Sequence, residues 1–530
     1  MASAQPPLGR RGFLAGGATL ALGTAGALSS GLWTPAGAAG RRPTEPLPSD
    51  VFTLGVASGE PLPNGVVLWT RLAPDPVASD GLGGMPPAEF EVTWEVAKDP
   101  RFRHGVRRGT AVASPDWGHS VHAEVKGLAP DRVYFYRFRA GRQISPVGRT
   151  RTAPSPGAKL SALSFAFVSC QNYYQGHFTA YDHLAAEDLD LVLHLGDYIY
   201  EERGTNPIGR GHLPDAEIFS LADYRVRYGQ YKSDPALQAA HASAPWATAP
   251  DDHEVENNWG GDHSQPDTEP DQDPAVFRQR RAAAYRAYYE NLPFRRSSRP
   301  RGPEMQIFRR LTFGDMLQLN MLDTRRFRRP HPPVADDRRW DPDRTILGPE
   351  QEKWLLSGLT ASRQRWKALG NQVVAMELDH TAGPAERFST DLWDAYAASR
   401  RRLFDGVLER GVDNFVMVTG DAHQNVIGDL KQDFSDPGSR TVGAELLGTS
   451  ISSSGDGADS TPGGQTWLAE NPHMKFYNFQ RGYQLVRLSR SELRCDFKVL
   501  PYVTRPNAPI STRATAYIEN GRPGIAHIDS

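Results

Sequence analysis

Three short apolar runs, 163–168, 189–195 and 415–419, each stop at a small polar pair: Ser169-Cys170, Gly196-Asp197 and Gly420-Asp421. Runs of this length without a helical repeat read as buried strands, and a helical stretch at 178–187 separates the first two. Strand, helix, strand implies a parallel pair joined by its crossover. In an open parallel sheet, ligands bind in the crevice beyond the carboxyl ends of the strands. A glycine before each aspartate lets the backbone turn sharply there and leaves the carboxylate facing that crevice. The pattern commits this part of the chain to an α/β layer with its chemistry gathered at one edge.

The rest of the chain is arranged around that layer. At 530 residues it is too long for one core. Residues 39–153 read as all-β: 65–72, 89–96, 120–125 and 133–140 alternate between Gly, Pro and Asp turns, the pattern of a small fibronectin- or immunoglobulin-like sandwich. Ala153-Pro154-Ser155-Pro156-Gly157 reads as the linker to a second domain at 158–528. There, 223–231, 276–290 and 349–362 read as helices, and 366–376, 483–488 and 493–500 as strands. Ahead of both domains, Arg10-Arg11 precede a Gly/Ala-rich apolar run and the cleavage pattern Ala36-Gly37-Ala38. Residues 1–38 therefore read as a twin-arginine export signal. The run is too short and glycine-rich, and lacks the flank, to read as a membrane span. The export machinery is then a transient partner, and the destination is secreted, periplasmic or cell-envelope.

A net charge of −2 lacks the basic excess of a nucleic-acid binder. The arginine run at 325–329 reads as a solvated face. The chain has two cysteines, Cys170 and Cys495. An exported protein can bridge such a pair, but the position of Cys170 at a strand end favours work as a thiolate, leaving Cys495 as a buried thiol.

The polar residues at the strand ends suit a pair of metal ions. A carboxylate such as Asp197 can bridge two cations ~3.5–4 Å apart, the spacing used for in-line displacement at phosphorus. Tyr200 offers a phenolate to a hard trivalent ion, His423 an imidazole and Cys170 a thiolate. Asp421 and Asn257 offer oxygens to a hard second cation such as Ca²⁺, Mg²⁺ or Mn²⁺. Asp421 and His423 alternate in what reads as a short extended segment, which puts both on one face. Each has a plainer reading. Asp197 can cap a helix, Asp421 and His423 can form a buried hydrogen-bonded pair, Tyr200 can be core, and Cys170 a small buried hydrophobe. Their joint occurrence favours the metal.

His253, in Asp251-Asp252-His253-Glu254, suits protonation of a leaving alkoxide or a bond to a phosphate oxygen, with an orienting role as the alternative. Arg325 suits a phosphate or an ion pair with Asp323 or another acid. Residues 448–453 read as a strand entering a site-lining loop. They form no Gly-x-Ser-x-Gly elbow, and no nucleophilic triad is visible.

Gly-Asp-x-x-Tyr at 196–200 is similar to a signature of the purple-acid-phosphatase-like metallophosphoesterases. With Ser169-Cys170, Asp251-Asp252-His253-Glu254, Asn257 and Gly420-Asp421-Ala422-His423, the chain resembles the PhoD-type alkaline phosphatases. The likeness extends to Ser58-Gly59-Glu60-Pro61, Leu68-Trp69-Thr70-Arg71, the 471–476 segment and Arg481-Gly482-Tyr483. It implies a calcineurin/purple-acid-phosphatase-like α/β fold, a β-sandwich flanked by helices behind a small all-β domain. It also implies Fe³⁺ on Cys170, Asp197, Tyr200 and His423, and Ca²⁺ on Asp197, Asn257 and Asp421, with Asp252 near a second Ca²⁺.

The activity so implied is hydrolysis of small phosphate monoesters or diesters by a metal-bound hydroxide, with phospholipid and teichoic-acid-like substrates as wider candidates. The chain departs from the family pattern in carrying Pro250 where a Trp usually precedes Asp-Asp-His. It lacks the Val-x-x-His and Gly-His-x-His of true purple acid phosphatases. Asp421 stands in place of the latter's first His, which argues for an oxygen-ligated second metal rather than zinc. The choice between Asn257 and Asn258 stays open. The alternatives are a phospholipase-D-like diesterase of the same family and a non-enzymatic exported binding protein.

Overall fold

Fully apolar strands need cover on both faces, and two sheets packed face to face supply it. The computed structural model describes residues 45–332 and 336–530, and the export-signal reading of 1–38 lies outside them. Among the described residues the strands form sheets of ten, seven and five. The ten-stranded sheet has a parallel centre: Ala162–Val168, Leu191–His194, Pro245–Thr248 and Ala57–Leu62 run the same way side by side. The seven-stranded sheet has its own, made of Leu317–Met321, Trp366–Asn371, Phe415–Thr419 and Thr441–Leu447.

The period-2 alternation of these strands sets the layers. In Phe415–Thr419, Val416 and Val418 join Val168, Leu193 and Leu485 in the core between the sheets. Phe415 and Met417 face outward into a second core. The helices Gly348–Ala361 and Ala397–Glu409 close that core with Leu355, Leu359, Leu403, Phe404 and Val407. The result is the expected sandwich flanked by helices.

Most expected elements appear within a residue or two of their places, and Phe415–Thr419 and Val133–Ala140 match end to end. The strand expected over 366–376 stops at Asn371. The front segment is all-β, but it does not close on itself. Ala57–Leu62, Gly65–Arg71 and Ser120–Lys126 extend the ten-stranded sheet, through the parallel pairing of Ser58 with Pro245. Their outer face, with Val66, Leu68, Val121 and Val125, packs on Val92, Tyr136 and Phe138 of the five-stranded sheet. The front sandwich therefore borrows one of its two layers from the main sheet.

The parallel strands of the two large sheets release their following loops toward one rim. Cys170 and Asp197 leave the first sheet there, and Asp421 and Ser453 leave the second.

Candidate metal centre

The two Gly-Asp turns are shaped by close approach between loops. Gly196 has φ +116°, and a Cβ on it would lie 2.3 Å from the Cβ of Asp251. A Cβ on Gly420 would lie 2.7 Å from Oγ and 2.8 Å from Cβ of Ser169. Glycine is required at 196 for both conformation and space, and at 420 for space. The loops are also stitched together: Cys170 N–H donates to the Gly196 carbonyl at 3.0 Å, and Gln171 N–H to that of Asp197 at 3.1 Å.

Four side chains expected as ligands sit on left-handed backbone: Cys170 (φ 58°), Asp197 (57°), Asp421 (65°) and His423 (57°). Such conformations cost about 1–3 kcal/mol each and persist where the surroundings enforce them. Asp421 and His423 therefore do not alternate along an extended strand as expected. They occupy a bend after Phe415–Thr419, and the left-handed residues aim both into the crevice.

Donor atoms gather in three overlapping groups, each with all its atoms within 4.8 Å of one another: Cys170, Asp197 and His423; Asp197, Asp252 and His253; and Asp251, Asp252 and Asp421. Asp197 belongs to two of them. Tyr200 completes the first group, its hydroxyl 3.0 Å from Asp197 Oδ2 and 3.3 Å from His423 Nε2. One side of Asp197 thus offers sulfur, imidazole and phenol. The other offers the carboxylates of Asp251, Asp252 and Asp421, with the His253 imidazole beside Asp252.

The electrostatics call for cations. Burial, reinforced by the charge of Asp252, pushes the Asp197 carboxyl well up. Burial and then Asp251 do the same to Asp421, and burial raises the Cys170 thiol and the Tyr200 phenol. Burial, with Arg481 nearby, lowers His423 to about 3, so its imidazole stays neutral with a lone pair to give. Buried Asp197 Oδ1, Asp251 Oδ2 and Asp252 Oδ1 have no hydrogen-bond partner. Orphaned carboxylate oxygens converging on one crevice fit multivalent metal ions.

The asparagines are less committed. Asn257 gives its backbone N–H to Glu201 and its amide N–H to Gln265, which leaves Oδ1 available. Asn258 is exposed, and its N–H holds Asp252 Oδ2 at 2.8 Å.

His253 packs on Tyr200, ring centroids 4.1 Å apart and planes tilted by 33°, with Nδ1 2.7 Å from Glu201 Oε2. Burial alone lowers its pKa, but the charges of Glu201, Asp252 and Asp197 outweigh that and raise it well above an ordinary histidine's. Arg325 is 1% exposed. Its guanidinium binds Asp251 and Asp391, and Nη2 points between Asp252 (3.5 Å) and Asp421 (3.6 Å). These contacts are ion pairs, made with Asp251 and Asp391 and not with Asp323, while Nη2 has no hydrogen-bond partner. The run 325–329 is correspondingly not a solvated face, because Arg328 is also buried on Asp391.

The chain matches the PhoD-like phosphatase family over residues 165–497, and that family's N-terminal domain over 37–154. It belongs to the PhoD-like phosphatases. It is 45% identical to alkaline phosphatase D of Bacillus subtilis (strain 168) over 489 residues, 90% of this chain and 82% of the relative. A solved structure of PhoD, also 45% identical, superposes with a TM-score of 0.87 over 92% of this chain and 94% of the other. A purple acid phosphatase from yellow lupin (Lupinus luteus) seeds, 13% identical, shares the fold at a TM-score of 0.50 over 89% and 73% of the chains. As a PhoD-like phosphatase the chain is a phosphoric ester hydrolase, and its family carries metal cofactors.

Several residues that hold this phosphatase site together carry no sequence signal of their own. Glu254 was visible only as the fourth letter of a motif. Its carboxylate accepts the N–H groups of Asp197 (3.2 Å), Tyr198 (2.7 Å) and Asp251 (2.8 Å), tying two ligand loops together. Burial pushes it up to about 8. Glu201, next to Tyr200, anchors both His253 and Asn257. Both cysteines are free and buried, so the bridge between them does not form.

Proposed function

We propose that this phosphatase hydrolyses phosphate monoesters and diesters at a centre holding Fe³⁺ on Cys170, Asp197, Tyr200 and His423. A hard divalent ion, Ca²⁺ before Mg²⁺ or Mn²⁺, is held on Asp197, Asp252 and Asp421, with Asn257 as a further oxygen donor. The observation that carries this reading is the split donor set: sulfur, imidazole and phenol on one side of Asp197, and on the other a set dominated by carboxylates, with His253 at its edge. Bound there, the metals supply an acidified water and neutralise phosphoryl charge.

The chain's own groups do the rest. Asp197 turns Oδ2 toward Tyr200 and leaves Oδ1 without a hydrogen-bond partner, and as a member of two donor groups it would be the residue shared by the two ions. His253, beside Asp197 and Asp252 and anchored on Glu201, is placed to protonate the leaving oxygen. Arg325 and Glu254 keep the carboxylates and loops in register.

Export by the twin-arginine route to the cell envelope or beyond is part of the proposal, supported by Arg10-Arg11 and Ala36-Gly37-Ala38. Metal analysis of the purified mature protein, with parallel monoester and diester kinetics on wild type and Asp197→Asn, tests the reading. Loss of both metals and of turnover in the variant is expected. Full turnover in Asp197→Asn overturns it.

A further inference from the structure

The loop after Thr441–Leu447 hydrogen-bonds the Tyr200 hydroxyl, the His423 ring and the backbone carbonyl of Cys170, and it makes no hydrogen bond to Asp251, Asp252 or Asp421. Ser453 is fully buried. Its Oγ accepts the Asn172 N–H at 3.1 Å and lies 2.7 Å from the Cys170 carbonyl and 2.6 Å from Tyr200 Oη. A hydroxyl has one hydrogen, so it can serve only one of those two oxygens at a time. The phenol's own hydrogen goes to Asp197 Oδ2, which leaves the phenol oxygen open to accept from Ser453. When Ser453 turns to the phenol oxygen, the Cys170 carbonyl still has the backbone N–H of Ser453 at 3.2 Å.

The next residue repeats the arrangement on the imidazole. Ser454, held at φ 72°, has Oγ 2.9 Å from His423 Nδ1, leaving Nε2 to face Tyr200. Thr449 Oγ1 donates to the His423 carbonyl at 3.2 Å, and Arg481 binds the same carbonyl.

We infer that residues 449–454 are a positioning loop for the iron half of the centre, with Ser453 the hydrogen-bond donor to the Tyr200 ligand oxygen and Ser454 fixing the tautomer and tilt of His423. This rests on the reading of Tyr200 and His423 as ligands of a ferric ion. Groups that orient a metal's ligands are worth about 10–100-fold in metal affinity. A hydrogen bond to the phenol oxygen also lowers the energy of the electrons that give tyrosine–iron proteins their visible band.

The test uses purified, metal-loaded full chain: the visible spectrum, the rate of iron loss to a chelator, and calcium content. In Ser453→Ala the band moves to longer wavelength, iron leaves about 10–100-fold more readily, and calcium is unchanged. Ser453→Thr, which keeps the hydroxyl, restores the band. Ser454→Ala, at an exposed position, loses iron faster with little movement of the band.

A wild-type band that stays put in Ser453→Ala, with iron retention unchanged in both alanine variants, overturns the inference and leaves Tyr200 as a ligand. Equal loss of iron and calcium overturns the assignment to one half of the centre. A wild type with neither band nor iron overturns the underlying reading, and the inference with it.

Discussion

Nδ1 of His253 lies 2.7 Å from Oε2 of Glu201, and the other oxygen of that carboxylate accepts the backbone N–H of Asn257 at 2.6 Å. One buried carboxylate thus sets the position of His253 and of a neighbouring amide. If His253 protonates the leaving group, His253→Ala should lower kcat by about 10²–10⁴-fold for alkyl esters, the usual worth of a general acid. A nitrophenyl ester, whose leaving group needs no proton, should be hydrolysed nearly as fast as by wild type. Glu201→Gln should fall between, in the same order of substrates. Equal losses on both esters would assign His253 to orientation alone.

The Arg325 network separates holding substrate from holding the site. Its guanidinium is shared by Asp251 and Asp391, with Asp252 and Asp421 at 3.5 and 3.6 Å. Arg325→Met leaves these carboxylates buried without their counter-ion, a change worth about 3–5 kcal/mol of stability. The expected result is a large fall in Tm. Were Arg325 a phosphate ligand, KM would rise tenfold or more with Tm unchanged. Asp391→Asn should lower Tm in the same direction by less, because Arg325 keeps Asp251.

Cys170, Asp197 and Asp421, three of the proposed ligands, were legible because each stands just past the end of an apolar run, where side-chain type alone announces chemistry. The residues that aim them were not. Glu254 and Ser453 are ordinary residue types in loops and Arg481 opens the strand Arg481–Ser489, and their meaning appears only when separate strand ends come together. The left-handed backbone at Asp421 and His423 was equally hidden: two polar positions two residues apart read most simply as a strand, and the contacts that hold His423, from Ser454 and Arg481, come from distant segments. The continuity of the front sandwich with the main sheet rests on pairing Ser58 with Pro245, a contact no local pattern encodes. The helix Ala397–Glu409 escaped notice because Ser399 and Arg400 lie among its buried positions and blur its apolar stripe.

Acid stability should carry the signature of Glu95 in the five-stranded sheet. Its carboxylate is 1% exposed and bonded by Arg108, Arg137 and Arg139. Burial pushes its pKa up, but the three guanidiniums outweigh that and hold it at about 2, below its usual 4.5. A carboxyl depressed in the folded state stabilises fully above its unfolded pKa, and the contribution is lost as pH falls through the folded value. Wild-type Tm should therefore fall between pH 4.5 and about 2, and Glu95→Gln should flatten that part of the curve while lowering Tm at neutral pH. A variant whose Tm falls as steeply with acid as wild type's would remove Glu95 from the account.

Gly196 offers the sharpest test of how tightly the ligand loops are packed. At φ +116° an alanine is strained by about 1–3 kcal/mol. Its methyl would also sit 2.3 Å from Asp251 Cβ and 2.7 Å from the Asp251 nitrogen. The strain lowers Tm, and the clash pushes the 251–254 loop away from Asp197, separating Asp252 and His253 from their partner. Gly383 is the control: its φ of +88° imposes similar strain, but an added Cβ meets nothing within 4 Å. Gly196→Ala should lose most of kcat/KM together with bound metal, whereas Gly383→Ala should lose only Tm. If the two variants kept equal activity at a temperature where both are folded, the contact between Gly196 and Asp251 would not be what holds the two halves of the site at their working distance.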